Sequence, residues 1–422
     1  MSARLTWIAE LPAWARWAAY AAIGVFVLTL VQGFDDTDRL TAVSSSQSML
    51  RWGVPILLAG LGGLFSERAG VVNIGLEGMM ILGTWFGAWG AINYGAWWGL
   101  AAGLIGGGLG GLVHAVATVQ FGVDHIISGV VINVGALGVA RFLSSEVFTG
   151  YAGGSITQSP RVPGVGQFTF PVLAGGDIGG WSSPDVLGWF GDRGWFFVSD
   201  VANVSKGLVT EVSFVTLIAL ALVPFSTWLL WRTRFGLRLR ICGERPEAGE
   251  AQGVNVYLYK YIGVLISGAL AGLAGAFIVS PELSGIYNEG QTTGRGFIGL
   301  AALIFGNWRP LGVLRGALLF GYVFGLGLRD LGGTASHSLL LVNAIALLGI
   351  AVWAYSRGNR NNAGLAGMLC VLTTIWYLTS DTVPDWWVNI LPYVVVLVVL
   401  AFFSQRLRMP AADGQRYRKG ES

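Results

Sequence analysis

Long apolar runs separated by short polar breaks set the pattern of this chain. Twelve hydrophobic segments stand out, at 14–33, 48–65, 71–92, 96–119, 125–143, 208–231, 258–279, 293–306, 310–328, 337–356, 363–379 and 386–404. Most approach 20 residues, which at 1.5 Å per residue crosses a hydrocarbon core of about 30 Å. The eighth is short and reads as a re-entrant half-helix. Pro55, the glycine-rich 60–63 and Gly106 to Gly111 are expected to interrupt their helices. Such breaks persist in a bilayer only where protein or a water-filled cavity covers them. The pattern predicts an all-α polytopic membrane protein with about 10–12 transmembrane helices.

A weak internal repeat adds topology. Ala59–Phe65 resembles Ala269–Phe277, and Gly75–Gly83 resembles Gly296–Ile304. Five spans separate the copies, so they would insert in opposite senses, as in transporters whose pathway lies at the interface of inverted repeats. The predicted organisation is an N-terminal cytoplasmic tail, first span and short outer loop (1–47), a first transmembrane repeat (48–143), a long extracytoplasmic loop (144–207), a span with a cytoplasmic coupling loop (208–257), a second repeat (258–356), and extra C-terminal spans with a basic tail (357–422). The long loop carries Trp181, Trp189 and Trp195 and enough apolar residues for a small folded cap.

Composition agrees. The chain is 54% hydrophobic and 12% charged, about half the charge of an ordinary soluble domain. Its 64 glycines suit close approach of apolar helices. Cys242 and Cys370 lie far apart and suggest neither a disulfide framework nor a Cys-based metal site. No signal peptide is expected, because the apolar run near Trp14 is followed by no small-residue cleavage site. Basic residues set the orientation. With the N-terminus inside, Arg4, Arg16, Arg68, the cluster from Arg232 to Lys260, Arg309, Arg315, Arg357, Arg360 and the C-terminal tail all fall on the inner side. Asp35, Asp36, Asp38, Asp381 and Asp385 fall outside. Both termini are therefore expected in the cytoplasm.

Few residues carry chemistry. A phosphate-binding loop needs Gly-Lys-Ser/Thr, and none of Lys206, Lys260 and Lys419 sits in that setting. No catalytic residue, metal site or bound cofactor is expected, and ATP, if used, belongs to another subunit. His114 and His125 share a face at best and lack acidic or Cys companions, so backbone or water should satisfy them. Asn73 and Glu77 are four apart, on one helical face. A carboxylate within a span faces a partner or an aqueous cavity, so Glu77 either clamps neighbouring helices or lines a pathway. Asn133 and Asn343 occupy related places in the two repeats, with inter-helix hydrogen bonding and pathway lining both open. Trp85, Phe86 and Trp89 either stack on a planar ligand or belong to an interfacial belt.

The segment Arg232 to Gly253 is polar, rich in Arg and Glu, and flanked by apolar spans. Insertion gains nothing from it, so it reads as a cytoplasmic docking element for an energy-supplying partner. Pro246 suits a first helical turn and Gly253 a C-terminal stop, framing a short helix around Glu247, Ala248 and Glu250.

Phe65-Ser-Glu-Arg-Ala-Gly-Val-Val-Asn-Ile-Gly-Leu-Glu-Gly-Met-Met80 closely resembles the signature of permease subunits of bacterial nucleoside-type ABC importers, within the branched-chain amino-acid/ribose permease superfamily. Phe235 to Gly253 resembles that family's cytoplasmic loop, with Glu247-Ala-Gly and Gly253 fitting its Glu-Ala-Ala-x-x-x-Gly pattern except at Gly249. Gly294 to Trp308 is a third similar block. The resemblance implies a permease subunit importing nucleosides or nucleobases by alternating access. Its expected partners are a cytoplasmic ATP-binding subunit, a second and related permease, an extracytoplasmic substrate-binding lipoprotein and the lipid bilayer, with no nucleic acid. It places the region of Asn73 to Glu77 along the substrate path, to which the reading of the intramembrane residues adds Asn133, Asn343 and Trp85 as candidates. It places the loop 235–253, with Arg238, Gly243, Glu244, Glu247, Ala248 and Gly253, against the ATPase. The loop 144–207 and the spans near 363–404 depart from the family's usual length. The alternative is a stand-alone proton- or cation-coupled secondary transporter using Glu77.

Overall fold

The computed structural model describes residues 12–35, 37–329, 334–384, 390, 393–394, 397 and 407–420. The first eleven residues, Arg4 among them, lie outside these, as do Asp36, Asp385 and nearly all of the segment 386–404. Helices dominate: α1 (Ala13–Asp35), α2 (Val43–Arg68), α3 (Leu76–Tyr94), α4 (Ala96–Ala115), α5 (His125–Val147), α6 (Val186–Gly191), α7 (Val198–Val209), α8 (Phe214–Arg232), α9 (Arg234–Glu244), α10 (Pro246–Ala251), α11 (Val256–Ile278), α12 (Arg295–Phe305), α13 (Pro310–Arg329), α14 (Thr334–Ser356) and α15 (Arg360–Thr379). Among the described residues, nine helices are long and apolar enough to cross a bilayer. The fold is all-α and polytopic. At 11 residues, α12 is about 16 Å long and reaches only part of the way across a bilayer.

Two compact units share the chain. The larger takes in Leu50–Gln167, Ser213–Gly321 and Pro392–Ser422. Its core joins Leu57, Leu61, Leu64, Met79, Phe277, Ile298 and Phe320, all buried. The glycine clusters and Pro55 do not interrupt their helices, contrary to expectation: α2 runs unbroken through Pro55 and 60–63, and α4 through 106–111. Glycine serves here as a missing side chain. A Cβ at Gly272 of α11 would lie 2.1 Å from the Gly103 carbonyl of α4, and one at Gly83 of α3 would lie 2.2 Å from the Gly272 carbonyl. Backbone meets backbone, and the interface holds through van der Waals contact that larger residues would forbid.

The smaller unit takes in Met1–Met49, Phe168–Val212 and Tyr322–Leu391. Val31, Leu40, Leu326 and Leu339 form its apolar centre. Gln32 and Asp200 both bond Thr41, fixing α7 beside the C-terminal end of α1. The part of the long loop in this unit forms short elements: a hairpin pairing Asp177–Ile178 with Trp181–Ser182, then α6, whose N-cap Asp185 also pairs with Lys206 of α7. Phe196 and Phe197, between α6 and α7, sit edge-on against Phe26 of α1.

Candidate functional site

The α2 helix ends at Arg68, and the next residues are not helical. Gly70 adopts a φ of 82°, where a side chain would meet Cys242, Gly243 and Lys260. The Ser66 hydroxyl donates to the Val71 carbonyl at 2.6 Å. Lys260 donates to the Gly70 carbonyl at 3.1 Å. Both central histidines close on one residue, Val72. His114 Nε2 lies 3.0 Å from its carbonyl, and its N–H donates to His125 Nδ1 at 3.2 Å. A polar backbone inside apolar surroundings needs partners, and the histidines supply them.

The stretch 71–75 was expected as the start of a span, but it is not helical: 71–73 have no regular structure, 74–75 form a turn, and the stretch is held from the side. Asn133 Nδ2 donates to the Ile74 carbonyl at 3.0 Å, while its Oδ1 accepts the Gly78 N–H at 2.7 Å. Asn73 Nδ2 donates to Ser267 Oγ at 2.8 Å. Helix α3 therefore starts at Leu76, and Glu77 lies in its first turn rather than two turns in.

Glu77 joins this helix start to another one. Its Oε1 accepts from the Thr292 hydroxyl at 2.6 Å and the Gly294 N–H at 2.8 Å; its Oε2 accepts from the Gly296 N–H at 2.7 Å. Gly294, at φ 79°, is the N-cap of α12. The first turns of α3 and α12 thus meet, so closely that a Cβ on Gly296 would fall 2.6 Å from Glu77 Cα. Two helix N-termini carry like partial positive charge, and one carboxylate between them offsets both. Arg295 closes the junction, donating to the Gln291 and Thr292 carbonyls at 2.6 and 3.1 Å with its guanidinium 4.4 Å from the Trp52 ring centre. Thr292 and Arg295 were missed by the sequence reading. The Thr-Thr-Gly-Arg-Gly run ahead of an apolar stretch carried the signal for a helix start.

The remaining pathway candidates fall elsewhere. Trp85 is buried, donates from Nε1 to Ser144 Oγ at 3.1 Å and stacks on Trp89 at 6.3 Å. Asn343 is half-buried on α14, in the smaller unit. The structure brings Asn73, Glu77 and Asn133 together around one junction.

The polar segment after α8 forms two helices, of which the sequence indicated only the second. The Thr233 hydroxyl caps α9 by accepting the Gly236 N–H at 3.1 Å. Gly236, Leu239, Cys242 and Gly243 face inward, and Arg238 outward. Burial pushes the Cys242 thiol up to about 11, leaving it protonated and unreactive. Gly243 packs against the Arg68 carbonyl, where a Cβ would come within 2.5 Å. Glu244 pairs with Arg68 at 3.4 Å. Pro246 opens α10, which buries Pro246 and Gly249 and leaves Glu247, Ala248, Ala251 and Gln252 exposed. Gly253 follows at φ 77°. The pair of helices presents a free polar face while its inner face is keyed to the end of α2.

Packed apolar spans, a partial helix meeting another helix start, and a polar hairpin keyed to the span ends define a multi-pass membrane protein of the permease class. The profile of the family described as branched-chain amino acid transport system / permease component matches residues 46–349. This chain belongs to that family. It is 31% identical to the nucleoside ABC transporter permease protein NupC of Lactococcus lactis, over 89% of this chain and 96% of that protein. It is 32% identical to the guanosine ABC transporter permease protein NupQ of Bacillus subtilis, over 88% and 95%. The putative glucose ABC transporter permease protein TsgC13 of Haloferax volcanii is 33% identical, over 86% and 94%. These alignments take in more of the chain than the family profile does. No solved structure matches.

Proposed function

We propose that this chain is the permease subunit of an ATP-binding-cassette importer for nucleosides, working by alternating access in the bacterial cell membrane with both termini in the cytoplasm. The observation that carries the reading is the α9–α10 hairpin, whose inner face is locked to Arg68 while Glu247 and Ala248 stay exposed. Such a face suits a cytoplasmic ATP-binding subunit, with Arg238, Gly243, Glu244, Glu247, Ala248 and Gly253 as the coupling residues. ATP would be bound there and not by this chain, which would carry no enzymatic activity of its own. A second, related permease and an extracytoplasmic binding lipoprotein would complete the importer; relatives with paired names, NupP and NupQ or NupB and NupC, support the second permease.

Asn73, Glu77 and Asn133 would act on the pathway by fixing the helix starts beside it. A carboxylate already engaged by three fixed donors at a helix junction serves as a structural clamp, which weighs against the stand-alone carrier driven through Glu77. The relative named for glucose favours a sugar as the second substrate reading. Proteoliposomes holding this chain with its companion permease, ATP-binding subunit and binding protein test both points. ATP-dependent uptake of labelled guanosine in preference to glucose is expected. Uptake by this chain alone under a proton gradient would overturn the proposal.

A further inference from the structure

The C-terminal segment 407–420 belongs to no motif and to none of the coupling residues, yet it lies across the coupling hairpin. The Arg408 N–H donates to Asn307 Oδ1 at 2.7 Å, the Ala411 N–H to Glu244 Oε2 at 3.3 Å, and the Ala412 N–H to the Gly243 carbonyl at 2.8 Å. Asp413 is buried beside the Glu67 carboxylate, with Lys260 and Arg68 the neighbouring cations. Tyr417 donates to Glu250 of α10, and its ring lies 5.6 Å from that of Tyr257 on α11. One short segment therefore touches the last turn of α9, α10, the first turn of α11, the end of α2 and the turn before α13.

We propose that this tail is a brace, joined to α10 as one docking body, that passes displacement of the coupling helix to the cytoplasmic ends of α2 and α13. The inference rests on the coupling reading above. A six-residue helix is far below the length that holds its shape in water unaided, so a push on α10 alone would be lost in local unfolding. The tail is placed to prevent that, since it reaches past α10 to Glu67 and Asn307. It leaves Glu247, Ala248, Ala251 and Gln252 exposed, so a partner can dock with the tail in place. A latch that had to leave before docking would cover that face.

The test uses the assembled importer. Truncation after Gln405 should leave the ATP-binding subunit bound and hydrolysing while uptake falls about tenfold or more. In a chain carrying Cys242→Ala and Cys370→Ala, the pair Tyr257→Cys/Tyr417→Cys should show reduced uptake that a thiol cross-link restores. Truncated importer with full uptake, or a cross-link that abolishes uptake until reduced, overturns the brace. Lack of ATP-dependent uptake by the full-length assembly overturns the coupling reading itself, and the brace with it.

Discussion

Glu67 and Glu77 stand ten residues apart in the chain, both buried in the larger unit, and their surroundings differ in kind. Glu77 accepts three hydrogen bonds, two of them from backbone N–H groups at a helix start. Glu67 accepts from the Trp308 indole and faces a second carboxylate, Asp413. Fixed backbone donors cannot be withdrawn without unfolding α12, so the first carboxylate is a permanent clamp. Two carboxylates side by side in a dry setting persist only with a proton between them. That contact depends on a proton, and it lies where the tail meets the α9–α10 hairpin. The molecule is tied by fixed backbone donors where its helix starts cross and by a protonation-dependent contact where the tail meets α2.

The largest effect should come from breaking the permanent clamp. Glu77→Ala leaves the Thr292, Gly294 and Gly296 donors without an acceptor beside two helix N-termini, at a cost of about 3–5 kcal/mol. Thermal unfolding in detergent should show a clear drop, with Glu77→Gln in between because one acceptor oxygen remains. An unchanged midpoint for the alanine variant would erase the contrast between the two carboxylates. Next comes Gly272→Ala, whose new Cβ would press on the Gly103 carbonyl at 2.1 Å; overpacking of this kind costs about 1–3 kcal/mol. Full stability there would mean that α4 and α11 can separate freely, and that the larger unit is not rigid around its clamp.

How much of this was legible follows from the same two places. The spans were readable because about 20 apolar residues in a row have few other uses. The need of Glu77 for a partner was readable from charge and depth alone, but its partners lie more than 200 residues away, and no local pattern names them. The glycine clusters were misread because one composition serves two purposes, a broken helix or a notch for a neighbour, and only the neighbour decides. The tail was readable only as basic: its contacts run largely through backbone N–H groups, which every sequence has. Asp413 gave no hint that it would be buried against an acid from the far end of the chain.

Asp413 supplies the third prediction. Burial and the Glu67 carboxylate push its pKa from the ordinary 3.8 up to about 9. Lys260, Arg68 and the Gly414 N–H are the groups facing it that favour ionisation, and they do not prevail. The docked tail holds a proton that the free tail has lost, so docking is strongest at acid pH and weakens as pH rises from about 4 to about 9. Protection of 407–420 from hydrogen exchange, taken relative to the intrinsic rate at each pH, should be lower at pH 9 than at pH 6, and Asp413→Asn should flatten that dependence. A wild-type tail equally protected at both values would place the conditional contact elsewhere.

The smallest effects come from deleting one hydroxyl at each end, and they sharpen the comparison most directly. Thr292→Val removes one of three donors to a carboxylate that is 7% exposed, and no water can take its place. The expected cost is about 1–3 kcal/mol, the range for a charged group left short of a partner inside a protein. Tyr417→Phe removes the donor to Glu250, which is only half-buried at the aqueous face. Water can replace that hydroxyl, so the loss should stay under about 1 kcal/mol. It should appear as slightly faster tryptic cleavage at Arg416 and Arg418, with the unfolding midpoint unmoved. Equal losses at the two positions would mean that the tail is held as firmly as the helix crossing, and its contact with Glu67 would then not depend on a proton.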